Sequence, residues 1–367
     1  MSEHQADDMG GLFRTGPAPA PRRPVPSGTP PAQLGFRMPG EFEPHARTWL
    51  AWPGESGRKW ANADELTANV AAVARAIRRF EPVAVAVDPQ YAGEATRVLG
   101  PGFDFLQVPV DDIWMRDTGP SFLVDGHGHL AASKWNFNVW GERFTGYDRD
   151  RDLAERVAGS QSAPSYASTI ITEGGALHVD GEGTVVVTES ALLNANRNLG
   201  MTREEVERGL NDWLGTTTVI WIPGDAGDSQ VDGHIDGLMT FIKPGVALFE
   251  VSEDPAHPRF AALREKLHAL ELAKDARGKR MEIARLTRPR ELPSAAKYFC
   301  GIYVNSLIVN GGVIIPKFGD SRSDAAAEAV FKAAFSDRKV VSVAIDTIGT
   351  GGGGIHCITQ QQPAIRR

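Results

Sequence analysis

Cysteine is scarce in this chain of 367 residues, which contains only Cys300 and Cys357. So few thiols exclude a disulfide-dense secreted scaffold, and they exclude a zinc site built from four cysteines. The N-terminus also lacks the apolar segment that a secretory signal peptide requires. From these absences we expect a protein of a reducing compartment, and we predict a cytoplasmic location.

Positive charge is also limited, because 39 basic residues stand against 46 acidic ones and give a formal net charge of −7. This balance argues against a nucleic-acid-binding surface and leaves cationic or neutral small substrates open. The most apolar uncharged run, 19 residues between Lys297 and Lys317, is interrupted by Asn310-Gly311-Gly312 and Pro316. It therefore predicts two strands joined by a turn rather than a membrane-spanning helix, and we expect no membrane partner.

Residues 1–33 differ in composition from the rest of the chain, since they carry seven of its 24 prolines and show no apolar period. Such a segment cannot bury enough apolar surface to order itself. We predict a disordered proline-rich tail over residues 1–33, followed by a single domain over residues 34–367. Removal of the tail is then expected to leave activity and thermal stability nearly unchanged.

Amphipathic helical patterns and apolar strand-like runs alternate through the rest of the sequence. The helical patterns cover 63–80, 148–159, 202–214, 258–270 and 324–335. The apolar runs that follow them cover 83–87, 168–171, 217–222, 281–286 and 340–345. Each run leads to a polar cluster, and most clusters open a pair of apolar segments broken by a turn signal. The pattern predicts an α/β protein whose repeating unit is turn, hairpin, helix and strand.

The polar clusters recur at a roughly regular interval. Asp117, Glu173, His234, Asn305 and Cys357 are separated by 56, 61, 71 and 52 residues. Long-period repeats form either a solenoid or a closed ring, and a closed ring brings equivalent positions of its units to one axis. The spacing therefore predicts that these polar side chains meet in one pocket.

A cysteine, a histidine and three carboxylates in one pocket suit attack on a cationic substrate. The thiol of Cys357 is mostly protonated at neutral pH unless a cation lies close to it, and a guanidinium would supply that cation. Asp117 and Asp236 can accept the forked hydrogen bonds of a guanidinium, and Glu173 can orient His234. Taken singly, each residue also fits a structural role: Glu173 can cap the Gly-Gly turn, for example. Cys300 is expected to be a buried structural thiol.

Metal ligation is the other chemistry that histidines suggest. His127, His129, His178, His234 and His356 are available, but they form neither a His-Glu-x-x-His helix nor a close cluster in the sequence. We therefore predict no metal and no cofactor.

Six motifs occur in an order that resembles the agmatine deiminase and bacterial-type peptidylarginine deiminase family of the pentein superfamily. The resemblance runs over residues 37–363. The motifs are FEPHARTWLAWP, DDIWMRDTGP, EGGALHVDGEGTVVVTE with LLNANRN, DGHIDG, YVNSLIVNGGVIIPKFGD and GGGGIHCITQQQP. The resemblance implies a pentein fold, which is a five-bladed α/β propeller of ββαβ modules with pseudo-five-fold symmetry.

The resemblance also implies roles for individual residues. Cys357 matches the family's nucleophile, and His234 matches its general acid and base. Asp117 and Asp236 match the carboxylates that hold the guanidinium, and Glu173 matches the acid that pairs with the histidine. Two further side chains, Trp114 and Arg116, complete the predicted substrate-binding set.

The predicted activity is that of a guanidine iminohydrolase, which converts a guanidinium to a ureido group and ammonia through a thiouronium on cysteine. Agmatine is the leading substrate. Gly237, Gly354 and Ser306 stand where relatives of this family usually carry larger residues, which leaves peptidyl-arginine or another guanidine open. A non-catalytic pentein that binds a macromolecule is the remaining alternative. Homo-oligomerisation is also left open.

Overall fold

Five separate β-sheets are the main feature of the computed structural model, which describes residues 11–14, 16, 28–225 and 230–365. The strands are β1 His45–Ala51, β2 Val83–Val87, β3 Asp104–Gln107, β4 Ser121–Val124, β5 Leu130–Lys134, β6 Ser165–Ala167, β7 His178–Val179, β8 Thr184–Thr188, β9 Thr218–Ile222, β10 Met239–Lys243, β11 Val246–Val251, β12 Glu282–Thr287, β13 Leu307–Val309, β14 Gly312–Lys317, β15 Lys339–Ala344 and β16 Thr359–Pro363. The fold is therefore mixed α/β.

The described helices of eight or more residues connect strands within the sheets. They are α1 Ala63–Arg78, α2 Ala92–Leu99, α3 Leu153–Ser160, α4 Arg203–Leu214, α5 Phe260–Leu272 and α6 Ser321–Ala334. Shorter α and 3₁₀ turns lie at Pro31–Leu34, Gly57–Trp60, Pro89–Tyr91, Met115–Thr118, Val139–Glu142, Asp150–Asp152, Gly174–Ala176, Glu189–Leu192, Ala195–Asn198, Ile235–Gly237 and Asp346–Thr350.

Each sheet repeats one arrangement of two antiparallel strands followed by a helix and a parallel strand. The hairpins are β4–β5, β7–β8, β10–β11 and β13–β14, and the parallel partners of their second strands are β6, β9, β12 and β15. In the remaining sheet the C-terminal strand β16 pairs antiparallel with β1, which pairs parallel with β2, and β3 extends the edge. The first and last of the described strands therefore lie in one sheet.

The helices form where their sequence signals predict them. In α4, the Thr202 side chain accepts from the Glu205 amide and the Glu205 side chain accepts from the Thr202 amide, which satisfies two N-terminal donors. Val206, Leu210 and Trp213 recur at helical spacing and are buried against the neighbouring sheet. The five helices expected from the sequence are present as α1 and α3 to α6, with shifted ends, whereas α2 was not predicted.

One predicted strand is wrong. Residues 168–171 form no strand, and the strand of that unit is β6, three residues earlier. The amide of Asn136 donates to the carbonyls of Ser168 and Ile170, at 2.6 and 3.2 Å, and the Ser168 hydroxyl accepts from the Ile170 amide at 3.0 Å. Because side chains satisfy these backbone groups, the segment does not need a β-ladder.

The uncharged run before Lys317 forms the predicted hairpin. Strands β13 and β14 are joined at Asn310-Gly311, where Gly311 has a φ of 70° that a side chain would disfavour. In the parts of the chain that the structure describes, no helix combines the length and the apolar character needed to cross a bilayer.

The segment that the sequence assigns to a disordered tail lies largely outside the described residues. Residues 11–14 are described, however, and they lie against the chain at 142–145. Leu12 is only 3% exposed, and the ring of Phe13 lies 4.6 Å from that of Phe144. For these four residues the structure differs from the expected disorder, because Leu12 and Phe13 form an apolar pair that packs against the rest of the chain. The end of the predicted tail differs as well, since the short turn Pro31–Leu34 begins within it and Pro31 is buried.

Candidate active site

The candidate site is a pocket of about 410 Å³. The turns that lead into the first strand of each hairpin, or into β16, carry Asp117, Glu173, Asp236, Asn305 and Cys357. Asp117, Asp236, Asn305 and Cys357 line the pocket. Glu173, which was also predicted to lie there, does not line the pocket and contacts His234 instead. Of the predicted residues, Cys357, His234, Asp117, Asp236 and Trp114 line the pocket.

Cys357 lies at the pocket wall, where the Asn305 side chain holds its backbone and contacts its sulfur. Asn305 Nδ2 is 3.2 Å from Cys357 Sγ, and Asn305 Oδ1 accepts from the amides of His356 and Cys357 at 3.0 and 3.3 Å. Burial, reinforced by the negative charge of Asp236, raises the pKa of the Cys357 thiol well above its ordinary value. Without a bound cationic substrate, the sulfur is therefore a protonated thiol at neutral pH.

Asp117 and Asp236 are two buried carboxylates on the same pocket. Asp236 Oδ2 lies 3.5 Å from Cys357 Sγ. Asp117 Oδ1 accepts from the Gly175 amide at 2.8 Å, and Asp117 Oδ2 accepts from Trp140 Nε1 at 2.9 Å. Each carboxylate is fixed in direction, and together they create negative potential beside the thiol.

Glycine is required between these groups. A Cβ atom on Gly175 would lie 2.8 Å from both Asp117 Oδ1 and His234 Nδ1, and 3.0 Å from Asp236 Oδ2. Cβ atoms essentially never lie closer than 3.0 Å to a neighbouring atom, so a side chain here would force these groups apart. The second glycine of the Glu-Gly-Gly motif therefore lets the two carboxylates and the imidazole approach one another.

Trp140 belongs to a turn whose backbone is strained. Val139, Trp140 and Glu142 have φ values of 58°, 52° and 59°, and Gly141 between them has 83°. The left-handed conformation costs a non-glycine residue about 1–3 kcal/mol, and the β-branched Val139 is especially unfavourable there. Neighbouring contacts must hold this turn in place for Trp140 to reach Asp117.

His234 is held by a chain of buried charges. Its Nε2 lies 3.3 Å from Glu173 Oε2, and its Nδ1 lies 3.9 Å from Asp117 Oδ1. Arg197 donates to Glu173 through Nε and to Asp232 through a terminal nitrogen, both at 2.8 Å. Burial alone would lower the pKa of His234, but Asp117 and Glu173 outweigh it and raise the pKa to about 9. His234 is therefore an imidazolium at neutral pH, available to donate a proton.

A second histidine lies behind the pocket and orients Asp236. His356 Nδ1 is 2.9 Å from Asp236 Oδ2, and His356 Nε2 is 3.0 Å from Glu41 Oε2. Burial raises the pKa of a carboxyl, but the hydrogen bond from His356 outweighs burial and lowers the pKa of Asp236. Asp236 therefore stays ionised.

The histidine that stacks on His356 is His178, with ring centroids 5.2 Å apart. Burial, together with the charge of His356, lowers the pKa of His178 to about 3, so that it is neutral. Among the described residues, no group of three or more His, Cys, Asp or Glu side chains is arranged to hold a metal ion.

Arg116 was predicted to bind substrate, and the structure does not support that prediction. Its guanidinium is buried away from the pocket, where it donates to Gln361 at 2.8 Å and to the His356 carbonyl at 3.3 Å. Arg116 and Asp117 are adjacent in the turn Met115–Thr118, and neighbouring helical residues point about 100° apart. When Asp117 faces the pocket, Arg116 must face elsewhere.

Sequence reasoning missed several residues that the pocket contains. Asn305 was used as a marker of the repeat, although no role was assigned to its side chain. Trp140 lies outside the recurring motifs, and only its contact with Asp117 identifies it. Asp225, Arg259 and Lys297 also line the pocket, and Arg259 forms an ion pair with Asp225. Asp225 and Lys297 belong to connections between units, where no periodic signal exists, and Arg259 is the residue before helix α5, whose pattern was predicted without a role for this side chain.

The three unusual small residues have different surroundings. Gly237 lines the pocket, and a Cβ there would meet only Ile302 Cδ1 at an ordinary 3.5 Å. A Cβ on Gly354 would lie 2.5 Å from Asn305 Oδ1. Ser306 is buried, and its hydroxyl bonds the Val304 carbonyl at 3.3 Å. Of the three, only Gly237 enlarges the pocket.

Comparison with known proteins agrees with this geometry. Residues 37–363 match the sequence family described as Porphyromonas-type peptidyl-arginine deiminase. A provisionally named agmatine deiminase of Streptomyces avermitilis is 45% identical over 352 residues, which cover 91% of this chain and 99% of that protein. The agmatine deiminase of Pseudomonas aeruginosa strain LESB58 is 38% identical over 367 residues and 93% of this chain, with 99% of its own length covered.

A solved structure adds a comparison in three dimensions. The agmatine deiminase of Enterococcus faecalis aligns with a TM-score of 0.88 at 32% identity, covering 94% of this chain and 99% of that one. The resemblance drawn from the ordered motifs is thus confirmed over nearly the whole chain. The chain belongs to the Porphyromonas-type peptidyl-arginine deiminase family.

Proposed function

We propose that this protein is an agmatine deiminase, which hydrolyses the guanidinium of agmatine to N-carbamoylputrescine and ammonia. The observation that carries the proposal is the meeting of a half-buried thiol, an imidazolium and two carboxylates in one pocket of a chain whose relatives are named agmatine deiminases. A binding protein without catalysis would have no need for a thiol and an imidazolium in one pocket. The proposal needs no metal and no cofactor.

The first step is binding of the guanidinium between Asp117 and Asp236. Two carboxylates accept its forked hydrogen bonds and direct its central carbon toward Cys357. The bound cation offsets the negative potential that keeps the thiol protonated, so the thiol loses its proton to solvent. Substrate binding itself therefore generates the nucleophile.

The second step forms the covalent intermediate. The thiolate attacks the guanidinium carbon, and His234 donates its proton to the departing nitrogen, which leaves as ammonia. The carbon remains bonded to sulfur as a thiouronium that still carries the alkyl chain. His234 is then neutral, with Glu173 holding its imidazole in place.

Hydrolysis completes the cycle. Neutral His234 takes a proton from water as the water oxygen attacks the thiouronium carbon. The tetrahedral intermediate expels the Cys357 thiolate and releases the ureido product and a proton, which ammonia accepts. After the product leaves, the thiolate takes back from solvent the proton that it lost when substrate bound. His234 ends the cycle protonated, as it began.

The outer part of the pocket suits an alkyl chain with a polar end. Trp140, Phe144 and Tyr147 supply aromatic surface, and the Asp225 carboxylate, which is paired with Arg259, also lines the pocket. Lys297, which is exposed at the rim, favours a second candidate, since it is a cation that the carboxylate of free arginine would meet. Gly237 leaves room for a peptide backbone, so peptidyl-arginine is the third substrate to compare.

Three substrates measured side by side test the proposal. We expect ammonia and ureido product from agmatine, with kcat/KM at least about tenfold above that for arginine or an arginine-containing peptide, a difference of about 1.4 kcal/mol. If arginine or the peptide were preferred, the proposed substrate would be wrong, but the protein would still be a deiminase. Absence of product from every guanidine would favour the non-catalytic alternative.

We further propose that the five sheets are the blades of a closed propeller within one catalytic domain over residues 34–367. Pairing of β16 with β1 supports closure, because it joins the two ends of the domain. Equivalent turns of four units line the pocket and the fifth turn reaches it through the contact of Glu173 with His234, which supports a common axis.

The pH dependence of activity reports the charge on His234. With a pKa of about 9, His234 loses its proton above that pH, so kcat/KM for agmatine is expected to fall there. Glu173→Gln removes one of the charges that raise this pKa and should move the fall to lower pH. A pH profile of each variant measures the shift. Identical profiles would show that Glu173 does not tune His234.

Two alanine substitutions of matched chemistry test the Asn305 contact. Gly354→Ala places a methyl group against the buried Asn305 side chain, whereas Gly237→Ala meets only an ordinary contact. We expect Gly354→Ala to lower kcat/KM by about 10²-fold, the usual effect of misplacing a catalytic group by about 1 Å. Gly237→Ala should stay within a few-fold of the parent protein. Equal losses of kcat/KM in the two variants would show that the position of the Asn305 side chain does not matter for turnover.

A further inference from the structure

The four residues 11–14 form a short strap that lies on the loop 138–147. The Arg14 amide donates to the Arg143 carbonyl at 2.7 Å, and the Thr145 amide donates to the Leu12 carbonyl at 2.8 Å. The Arg14 side chain donates to the Glu142 carbonyl at 2.7 Å and to the Glu142 carboxylate at 3.1 Å. Backbone and side-chain bonds therefore fasten the strap to the C-terminal part of this loop.

The strap also forms part of the packing behind the pocket wall. Leu12 is buried in the cluster that contains Trp140 and Phe144. The ring of Phe13 lies 4.6 Å from that of Phe144 and 5.6 Å from that of Tyr298. Phe144 and Tyr298 line the pocket and come from segments far apart in sequence, so Phe13 joins two parts of the wall.

The loop beneath the strap is the strained one. Its left-handed turn at residues 139–142 is unfavourable for non-glycine residues, and it therefore persists only when surrounding contacts determine it. The same turn presents Trp140 Nε1 to Asp117 Oδ2. Glu142, which Arg14 holds, is the last residue of the strained run.

We propose that residues 11–14 are a positioning element, which clamps the loop 138–147, sets Trp140 against Asp117 and fixes the aromatic wall that contacts the substrate chain. The effect on turnover rests on the proposed function, whereas the clamp itself does not. This reverses the expectation that the entire segment 1–33 is dispensable. The strap acts through Trp140 and Phe144 and does not touch the reacting atoms.

Two truncations of the full chain test the proposal. Deletion of residues 1–10 removes none of the strap and serves as the control, while deletion of residues 1–16 removes all of it. Hydrogen exchange of the segment 138–147 is expected to be faster in the longer deletion and unchanged in the shorter one. KM for agmatine is expected to rise about tenfold in the longer deletion, with a smaller change in kcat, at temperatures where both variants are folded.

Point variants test the same contacts without removing chain. Phe13→Ala should raise KM for agmatine as the longer deletion does. Phe13→Tyr keeps the ring, so its KM should equal that of the parent protein. Unchanged exchange in the deletion of residues 1–16 would overturn the clamp. Faster exchange with an unchanged KM would reduce the strap to a structural role and overturn positioning. If the full chain turned over no guanidine, the proposed function would fail, and the exchange comparison would still decide whether the clamp exists.

Discussion

Cys357→Ser is expected to reduce kcat for agmatine by about 10³-fold or more, because a hydroxyl in this buried, negatively charged surrounding is far harder to ionise than a thiol. Asp117 and Asp236 are unchanged in this variant, so agmatine should still bind. Calorimetric titration of the variant measures binding, and ammonia release measures turnover. The change replaces one heavy atom, and the fold should retain its thermal stability.

Cys300→Ser is the matched control, since it makes the same replacement in the same pocket. Burial, reinforced by the negative charge of Asp236, raises the pKa of Cys300 to about 12, so this thiol is protonated at neutral pH. Turnover in Cys300→Ser is expected to stay within a few-fold of the parent protein. Near-normal turnover in Cys357→Ser, or equal losses in both variants, would remove the covalent mechanism.

Asp236→Asn is expected to lower kcat/KM for agmatine and, at the same time, to make the Cys357 thiol easier to ionise. The bound guanidinium loses a charged partner, which in a buried site costs about 2–5 kcal/mol, so kcat/KM should fall by about 30-fold to 5,000-fold. The thiol of the free enzyme loses the negative charge that helps to raise its pKa, so Cys357 should be alkylated by iodoacetamide at lower pH than in the parent protein. General damage to the site would not make the thiol easier to ionise.

An exposed aspartate provides the control for this experiment. The side chain of Asp148 is 92% exposed and is paired only at the surface, with Arg151. Asp148→Asn should leave turnover and the pH dependence of alkylation unchanged. A fall in turnover without easier alkylation in Asp236→Asn would contradict the proposed coupling between carboxylate and thiol.

The repeating architecture was largely predictable because it depends on local signals. Apolar periodicity identified five of the helices, and the recurrence of polar clusters indicated that Asp117, His234 and Cys357 would approach one another. The pairing of β16 with β1 has no local signal, since it joins residues more than 300 positions apart. Helix α2 was not predicted, although α3 has the same length of eight residues and was.

The finer structure of the site depends on contacts between units, which no single motif contains. The direction of Arg116 follows from that of its neighbour Asp117, and the sequence does not say which of the two faces the pocket. In the sequence, His356 stood out only as a candidate metal ligand. Its position between Asp236 and Glu41 arises when three segments that are distant in sequence pack together. The strap at residues 11–14 was not predicted, because the proline-rich composition of residues 1–33 indicates disorder for the whole segment.

The most direct test of the covalent mechanism is the mass of the protein during turnover. Acid quenching of a reaction with saturating agmatine should trap protein whose mass has increased by that of agmatine less ammonia, with the added group on the peptide that contains Cys357. The adduct should disappear as substrate is exhausted, and it should be absent from Cys357→Ser. Turnover with Cys357 unmodified throughout, or an adduct on another residue, would contradict the account.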